Sequence, residues 1–477
     1  MVSAELAIGF AVLAVHAAVI LRAMLVEDRE PMARTAWLLL LVALPVLGVI
    51  LYLLFGEPWI STGFRDRSRA AYEALLPMAP AGISETKLAE PVVNAFRTCT
   101  AVSRWPASGG NSGRVAAGAD DAIDMIVADI DAAERTVHLS IYIWLTDRNG
   151  GRVAEAICRA ARRGVTCRVV ADAIGSRAMI RSPLWRGMRD AGARMCPSLK
   201  APLGLGFLAG HRVDLRNHRK IVVVDGRIAY CGSENCADAA FRIKPKFAPW
   251  VDIMIRYEGP VVRQTELIFA SAWTTETGED LTSDIVAEPV PSASDGFPAI
   301  AVGNGPLSPR GSMTEMFVAV LAAARDRVTI TTPYFAPDPP LIGAIVAAGR
   351  RGVKVTIVFP RRCDSRILGA IARAYYPILA RADVHIFEFN GGLLHAKTLV
   401  VDDRLALVGS SNMDRRSLDL NFENNVLFET AELAGQVIDH QRRWLADATE
   451  IDRAVVAARP MPRRLADNVL TMVAAVF

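Results

Sequence analysis

Paired cysteines are scarce in this chain of 477 residues. Its seven cysteines are odd in number, and none form a Cys-x-x-Cys pair. This excludes a disulfide framework and a thiolate zinc site, and it points to a reducing compartment for most of the chain. No cluster of His, Cys or carboxylates has zinc-like spacing either, so neither metal nor cofactor is expected. Charge of one sign is also lacking: 54 Lys and Arg stand against 50 Asp and Glu, a net +4. With no basic groove interleaved with aromatics, a nucleic-acid partner is not expected. Nothing before Leu6 is basic, and a longer apolar run follows the first within ten residues, which argues against a cleaved signal peptide.

Apolar residues are plentiful, at 52% of the chain, with a mean hydropathy of +0.26. The excess lies at the N-terminus. Thr35 to Gly56 is 22 residues without a charge, about 33 Å as a helix and enough to span a bilayer. Pro45 is expected there as a tolerated kink. Leu6 to Val26 is a second candidate span, interrupted by His16 and Arg22. The expectation is a transmembrane helical hairpin over residues 1–57, turning at Glu27 to Arg34. Arg29 and Arg34 in the turn nearly balance Arg65, Arg67 and Arg69 beyond it. The cysteines then favour cytoplasmic termini.

A chain this long implies about two to four domains. Residues 58–118 read as a linker with a helix or two, rich in Pro and Ala. Helical spacing then runs over Asp120 to Ala133, strand alternation over Thr136 to Trp144, a helix over Gly151 to Arg163, and a buried strand over Val165 to Ala171. The same order returns with a helix over Met313 to Ala324 and a strand over Arg327 to Phe335. A helix over Leu341 to Arg351 and a strand over Val353 to Phe359 follow. Arg162-Arg163-Gly164-Val165 is echoed by Arg350-Arg351-Gly352-Val353. The fold class is therefore α/β, duplicated: one half over 119–277, a Pro, Gly and Ser-rich connector over 278–312, and a second half over 313–477.

The chemistry is concentrated in two copies of one motif. His395, Lys397 and Asp402 precede Gly409-Ser410-Ser411-Asn412; His218, Lys220 and Asp225 precede Gly232-Ser233-Glu234-Asn235. Matched positions are all 177 apart. On a strand, residues i and i+2 share a face, so each histidine emerges beside its lysine. Thr398 to Val401 reads as a buried strand, Asp402-Asp403 as a turn, and Leu405 to Val408 as the returning strand. Two half-sites of a duplicated unit would meet at a pseudo-twofold axis. A histidine, a lysine and a small polar turn suit a phosphate: imidazole can attack or transfer a proton near neutrality, and ammonium groups neutralise the anion.

These motifs resemble the signature of the phospholipase D superfamily. Arg216-Asn217-His218-Arg219-Lys220, Pro245-Lys246-Phe247, Pro249-Trp250, Arg256-Tyr257-Glu258-Gly259-Pro260, Thr332-Pro333-Tyr334-Phe335 and Leu44-Pro45-Val46-Leu47-Gly48 resemble bacterial cardiolipin synthases over nearly the whole length. One local departure bears on the acceptor side: Cys236-Ala237-Asp238 stands where synthases more usually carry a Gly- and acid-containing run. The resemblance implies transfer of a phosphatidyl group between two phosphatidylglycerol molecules in the bacterial inner membrane. A hydrolase, or a transferase using another alcohol, is the alternative. It implies His218 as nucleophile and His395 as acid/base, which symmetry leaves reversible. Lys220, Lys397, Asn235 and Asn412 would hold phosphate oxygens, with Ser233 and Ser410 shaping the cradle. Glu423 would orient His395, and Asp252 of Pro-Trp-Val-Asp would orient His218. Asp225 and Asp402 belong to the motif but read more readily as turn braces than as catalysts. Arg216, Arg415 and Arg416 read equally as headgroup contacts or solvated charge. His16, His138, His211, His385 and His440 lack a lysine partner, and Cys231 and Cys236 read as small buried thiols.

Overall fold

The computed structural model describes residues 2–27, 29–57, 60–84, 88–200, 212, 214–241, 243–285 and 292–474; His211 lies outside them. The apolar N-terminus forms α1 (Val2–Leu25), α2 (Pro31–Ala43) and α3 (Pro45–Leu51), then a π-helical turn over Tyr52–Gly56. The span expected from Thr35 to Gly56, with a tolerated kink at Pro45, is instead broken at Leu44, which sits at φ −131°, ψ 72°. Pro45 has no N–H and its ring drives the preceding residue out of helical conformation. The chain then doubles back so closely that a Cβ on Gly48 would lie 2.7 Å from the Leu40 carbonyl oxygen. Among the described residues, no helix is long and apolar enough to cross a membrane. Instead Ala23, Trp37, Leu41 and Tyr52 make a small core of their own, while Phe10, Leu13, Leu39, Val46 and Leu47 stay exposed.

The stretch 58–118 is more than a linker. It carries α4 (Thr62–Leu75), α5 (Glu90–Ser103) and β1 (Ser108–Val115). The first half continues as α6 (Ala119–Ala132), β2 (Thr136–Ile141), α7 (Arg148–Arg162), β3 (Thr166–Asp172), α8 (Arg177–Ile180), α9 (Pro183–Asp190) and β4 (Arg194–Ser198). Its motif strands are β5 (Arg216–Asn217), β6 (Ile221–Val224) and β7 (Ile228–Gly232), followed by β8 (Trp250–Val251), β9 (Met254–Glu258) and α10 (Val261–Thr277).

The expected connector contains a strand, β10 (Phe297–Asn304). After it come α11 (Ser312–Ala322), β11 (Arg327–Thr331), β12 (Phe335–Ala336), α12 (Pro339–Arg350), β13 (Lys354–Pro360), α13 (Arg366–Ala374), α14 (Tyr376–Ala380) and β14 (His385–Phe389). The second motif occupies β15 (Leu393–Leu394), β16 (Thr398–Val401) and β17 (Leu405–Gly409). The chain ends with β18 (Met413–Asp414), α15 (Arg415–Asp419), β19 (Asn421–Glu429), α16 (Ala431–Ala446), β20 (Ala448–Glu450), α17 (Arg453–Ala457) and α18 (Met461–Ala474).

Local chemistry explains the repeated helix-to-strand unit. Asp147 and Asp338 cap α7 and α12 by accepting from Gly150 and Leu341 backbone N–H groups, each at 3.1 Å. Gly164 and Gly352, at φ 92° and 88°, terminate those helices in the left-handed conformation and send Val165 and Val353 towards the next strand. That accounts for the Arg-Arg-Gly-Val echo.

One long sheet runs in the order β20-β14-β13-β11-β16-β17-β19-β10-β1-β9-β7-β6-β2-β3-β4. Read outward from its centre, β1-β9-β7-β6-β2-β3-β4 matches β10-β19-β17-β16-β11-β13-β14, and β1 pairs antiparallel with β10. The pseudo-twofold axis therefore passes between β1 and β10. β6 and β16 are buried throughout, as continuous aliphatic runs in a helix-covered sheet should be.

Each motif strand ends in a glycine pressed against its neighbour. A Cβ on Gly232 would lie 2.2 Å from the Ile253 carbonyl oxygen, and one on Gly409 2.3 Å from that of Asn424. Gly409→Ala should therefore cost about 1–3 kcal/mol of stability by overpacking. Gly343→Ala, in open space on helix α12, should be neutral or stabilising; thermal unfolding of the two variants checks this contrast.

Candidate active site

The two motifs converge because short parallel pairings cross the molecular halves. β5 runs beside the start of β19, with Asn421 opposite Arg216 and Phe422 opposite Asn217, and the His218 N–H donates to the Phe422 carbonyl at 2.9 Å. β15 runs beside β8, with Leu394 opposite Val251, and the His395 N–H donates to the Val251 carbonyl at 2.8 Å. The next residue on each partner strand is a carboxylate. Glu423 therefore meets His218 Nδ1 at 2.8 Å, and Asp252 meets His395 Nδ1 at 2.6 Å. This corrects the expected assignment: each histidine takes its carboxylate from the opposite half, since the partner strand belongs to that half.

Both histidines and both lysines are buried. Lys220 Nζ donates to the His218 carbonyl at 2.8 Å, and Lys397 Nζ donates likewise to that of His395. Burial pushes His218 down to about 4 despite Glu423, and lowers His395 despite Asp252. Burial also takes Lys220 down to about 8 and Lys397 to about 7, the second helped by the Lys220 charge. Each histidine lies in the field of both lysines, so the four groups form one site. Burial raises the Glu423 and Asp252 carboxyls, but their histidine partners, together with the lysines and serines, hold both below the ordinary range. The neighbouring Glu234 has no such partner; burial and the Asp252 charge raise it well above that range.

The serines act one step back from the expected phosphate cradle. Ser410 Oγ donates to Glu423 Oε2, Ser417 Oγ donates to Oε1 at 2.8 Å, and Ser233 helps hold Asp252 in its charged form. They brace the carboxylates because their strands end against the carboxylate strands. Asn235 Oδ1 accepts from the Ile143 N–H at 3.1 Å, leaving its buried Nδ2 without a partner among the described residues. Asn412 Nδ2 donates to Ser417 Oγ at 3.3 Å. Cys236 and Asp238 are tied to the loop after β2 and to the start of α7: Leu145 N–H donates to the Cys236 carbonyl at 3.0 Å, and Asn149 N–H to Asp238 Oδ1 at 2.9 Å.

Asp225 and Asp402, although part of the motif, brace the hairpins rather than joining the two histidines, the reading favoured over a catalytic one. Each carboxylate accepts three backbone N–H groups just before a strand: Glu134, Arg135 and Thr136 for Asp225, and Arg325, Asp326 and Arg327 for Asp402, all at 2.8–2.9 Å. They pin the motif hairpins to β2 and β11. Arg415 pairs with Glu30 of the α1–α2 turn, and Arg416 with Asp214 at 2.9 Å, so neither is merely solvated. His138 is buried, stacked on Phe269 with ring centroids 4.8 Å apart. His385 pairs with Glu450. Sequence reasoning missed the aromatic walls: Tyr142 stands edge-on to His218 at 4.7 Å, and Tyr334 stands edge-on to His395 at 6.4 Å. Tyr334 lies in the Thr332-Pro333-Tyr334-Phe335 run that carries the resemblance, whereas only its place just beyond β2 pointed to Tyr142.

The family described as "Cardiolipin synthase, PLD-like domain" matches residues 126–273 and 317–444. The chain belongs to this family. The family described as "Phospholipase_D-nuclease N-terminal" matches residues 12–57, the segment of the broken apolar helices. Cardiolipin synthase A of Citrobacter koseri is 34% identical over 93% of this chain and 93% of its own length. That of Klebsiella pneumoniae has the same identity and coverage. In fold, the chain resembles phosphatidylserine synthase from Haemophilus influenzae, with a TM-score of 0.57 at 13% identity over 80% of this chain and 100% of that one.

The crossed carboxylates have a direct spectroscopic consequence. Glu423→Gln should shift the ring nitrogen resonances of His218 and leave those of His395 in place; Asp252→Asn should do the reverse. Either change should also slow turnover by roughly 10³–10⁴, by analogy with an amide replacing a histidine-orienting carboxylate. Nitrogen-15 spectra of histidine-labelled protein check the pairing.

Proposed function

We propose that the protein is a phosphatidyltransferase that makes cardiolipin and glycerol from two molecules of phosphatidylglycerol through a phosphoryl-histidine intermediate. The observation that carries this reading is the buried pair of imidazole and ammonium groups, one pair from each half, within a family of cardiolipin synthases.

His218 is the nucleophile. With Nδ1 held by Glu423, its Nε2 carries the free lone pair, and burial keeps the ring unprotonated near neutrality. It attacks the phosphorus of the donor, and the P–O bond to the glycerol headgroup breaks. His395 gives its proton to that departing oxygen. Burial lowers its affinity for a proton in the empty site, and an anionic phosphodiester alongside restores it. His395 then takes the proton of the second lipid's headgroup hydroxyl, whose oxygen attacks phosphorus and releases His218. Lys220, Lys397 and the Asn235 amide hold the non-bridging oxygens. Metal plays no part in this scheme, since the two lysines supply the positive charge.

The apolar N-terminal helices, with their exposed Phe10, Leu13, Leu39 and Leu47, hold the catalytic halves at the bacterial inner membrane, on its cytoplasmic side. Donor and acceptor are concentrated there in two dimensions.

Purified protein given labelled phosphatidylglycerol in detergent should release glycerol and accumulate cardiolipin. Phosphatidic acid as the sole lipid product would make it a hydrolase and discard the transferase reading. The pH profile should also follow the buried groups. For a soluble short-chain phosphatidylglycerol, kcat/KM should rise through about pH 4 as His218 loses its proton. It should fall on the alkaline side first as His395 loses the proton it must donate, and then further across about pH 7 to 8 as Lys397 and then Lys220 lose the charge that binds phosphate. Inhibition by tungstate, an anion with constant charge over that range, should weaken across the same alkaline limb.

A further inference from the structure

The two halves of the site are related by a pseudo-twofold axis, yet the walls around their histidines differ in charge. Beside His395, Tyr334 stands edge-on at 6.4 Å, and Trp250 lies tilted against the imidazole at 4.7 Å. Tyr334 Oη donates to Asp364 Oδ1 at 2.7 Å, and Lys244 Nζ donates to Oδ2 of the same carboxylate at 2.7 Å. The Asp364 side chain is only 5% exposed, against 44% for Lys244. Lys244 belongs to the first half and Asp364 to the second, so these three residues cross the halves as the histidine–carboxylate pairs do. The segment that carries Lys244 is closed at its base, where the Trp250 N–H donates to the Ala239 carbonyl at 2.8 Å.

The first half builds the same turn differently. Asp364 lies in the turn after β13 and directly precedes Ser365, which caps α13 by accepting from the Leu368 N–H at 3.3 Å. In the turn after β3, the counterpart of β13, the residue before Ser176 and α8 is Gly175. A side chain does not fit there, since a Cβ on Gly175 would lie 2.4 Å from the Tyr142 carbonyl oxygen and 2.9 Å from the Tyr142 ring. The nearest charge on that wall has the opposite sign: the Lys220 ammonium lies over the Tyr142 ring at 5.2 Å. Asp172 and Glu423 act on the Tyr142 phenol through their charge and not as hydrogen-bond partners. One turn therefore puts a carboxylate behind its aromatic wall, and the other puts bare backbone there.

We propose that Asp364 is a positioning residue for His395: it locks Tyr334 against the imidazole and favours the protonated ring, which makes His395 the proton donor of a pseudo-symmetric pair. The proposal rests on the two-histidine transfer reading and adds to it the group that breaks the symmetry. Acting directly on His395 are the carboxylate of Asp252 and the ammonium groups of Lys397 and Lys220. A further negative charge offsets the second ammonium. Burial raises the Asp364 carboxyl, but the bonds from Lys244 and Tyr334, with the charges of Lys244 and His395, hold it below the ordinary range. It is therefore ionised at neutral pH and lies in the field of His395. Lys244 opposes it only weakly, because water and salt screen a half-exposed ammonium far more than a buried carboxylate.

The test uses the full chain in detergent, with its histidines labelled by nitrogen-15. Asp364→Asn keeps the shape and an acceptor for Tyr334 but removes the charge. The midpoint at which His395 loses its proton should then fall by about one pH unit, with the His218 resonances in place. Lys244→Gln, which removes the opposing cation, should move that midpoint upward and by less. On soluble short-chain phosphatidylglycerol, Asp364→Asn should lose about tenfold in kcat at neutral pH with little change in KM, since a tenfold smaller fraction of His395 carries the proton to be donated. A soluble short-chain phosphatidyl-p-nitrophenol has a leaving group that departs as the anion and needs no proton. Its burst of p-nitrophenolate should fall by no more than about twofold in the same variant. Asp364→Glu, which restores the charge, should recover most of the lost kcat. An unmoved His395 midpoint in folded Asp364→Asn would overturn the proposal. So would equal loss on the two substrates, or a downward shift of the midpoint in Lys244→Gln, since each marks a purely structural brace. Thermal unfolding checks the fold of every variant; should Asp364→Asn not fold, Asp364→Ser carries the same expectations. If the parent makes no cardiolipin and traps no phosphoryl-histidine, the catalytic reading falls, while the His395 midpoint still decides what Asp364 does.

Discussion

The site depends on two very short parallel pairings, β5 with β19 and β15 with β8. Each joins the strand leading into a histidine to a strand of the opposite half, and each puts a carboxylate at the next position. Neither half therefore holds a complete catalytic pair. The duplication supplies two similar units, and the crossing makes them interdependent. The central β1–β10 pairing fixes their relative placement, so that the crossed strands meet in register.

That arrangement makes an otherwise costly burial tolerable. Two imidazoles, two ammoniums and two carboxylates lie in one desolvated pocket, and an isolated buried charge would cost several kcal/mol. The carboxylates are satisfied first: Glu423 accepts from His218, Ser410, Ser417 and Asn421. The lysines are left under-compensated, which lowers both and makes the pocket receptive to an anion. In the proposed reaction a phosphodiester would supply the missing negative charge.

The apolar ends of the chain leave part of their surface exposed. Pro45 and Gly48 fold the second N-terminal segment back on itself, and α18 presents an apolar stripe at the far end of the sequence. The Glu30–Arg415 ion pair ties the N-terminal unit to α15, between the second motif and β19. The N-terminal and catalytic parts are thus coupled by a direct contact.

Much of this was legible in the residues. The paired histidines and lysines, their strand-turn-strand setting and the α/β duplication follow from a repeat spaced by 177 positions and from side-chain periodicity. Both carboxylates could be picked out as partners of the histidines. Their assignment could not be made, because pairing between segments 205 and 143 positions apart is set by which strand edges meet, and local pattern carries no record of that. β1 and β10 were hidden for a different reason. Gly and Pro in Ser108–Val115 and Phe297–Asn304 imitate loop composition, and only packing against β9 and β19 makes them strands. The broken N-terminal helix shows the reverse limit: hydropathy measured how apolar the segment is, while the missing N–H of Pro45 and the space at Gly48 decided its shape. Sequence determined which groups are available for chemistry; tertiary structure decided which of them face one another, since that depends on contacts between distant strands.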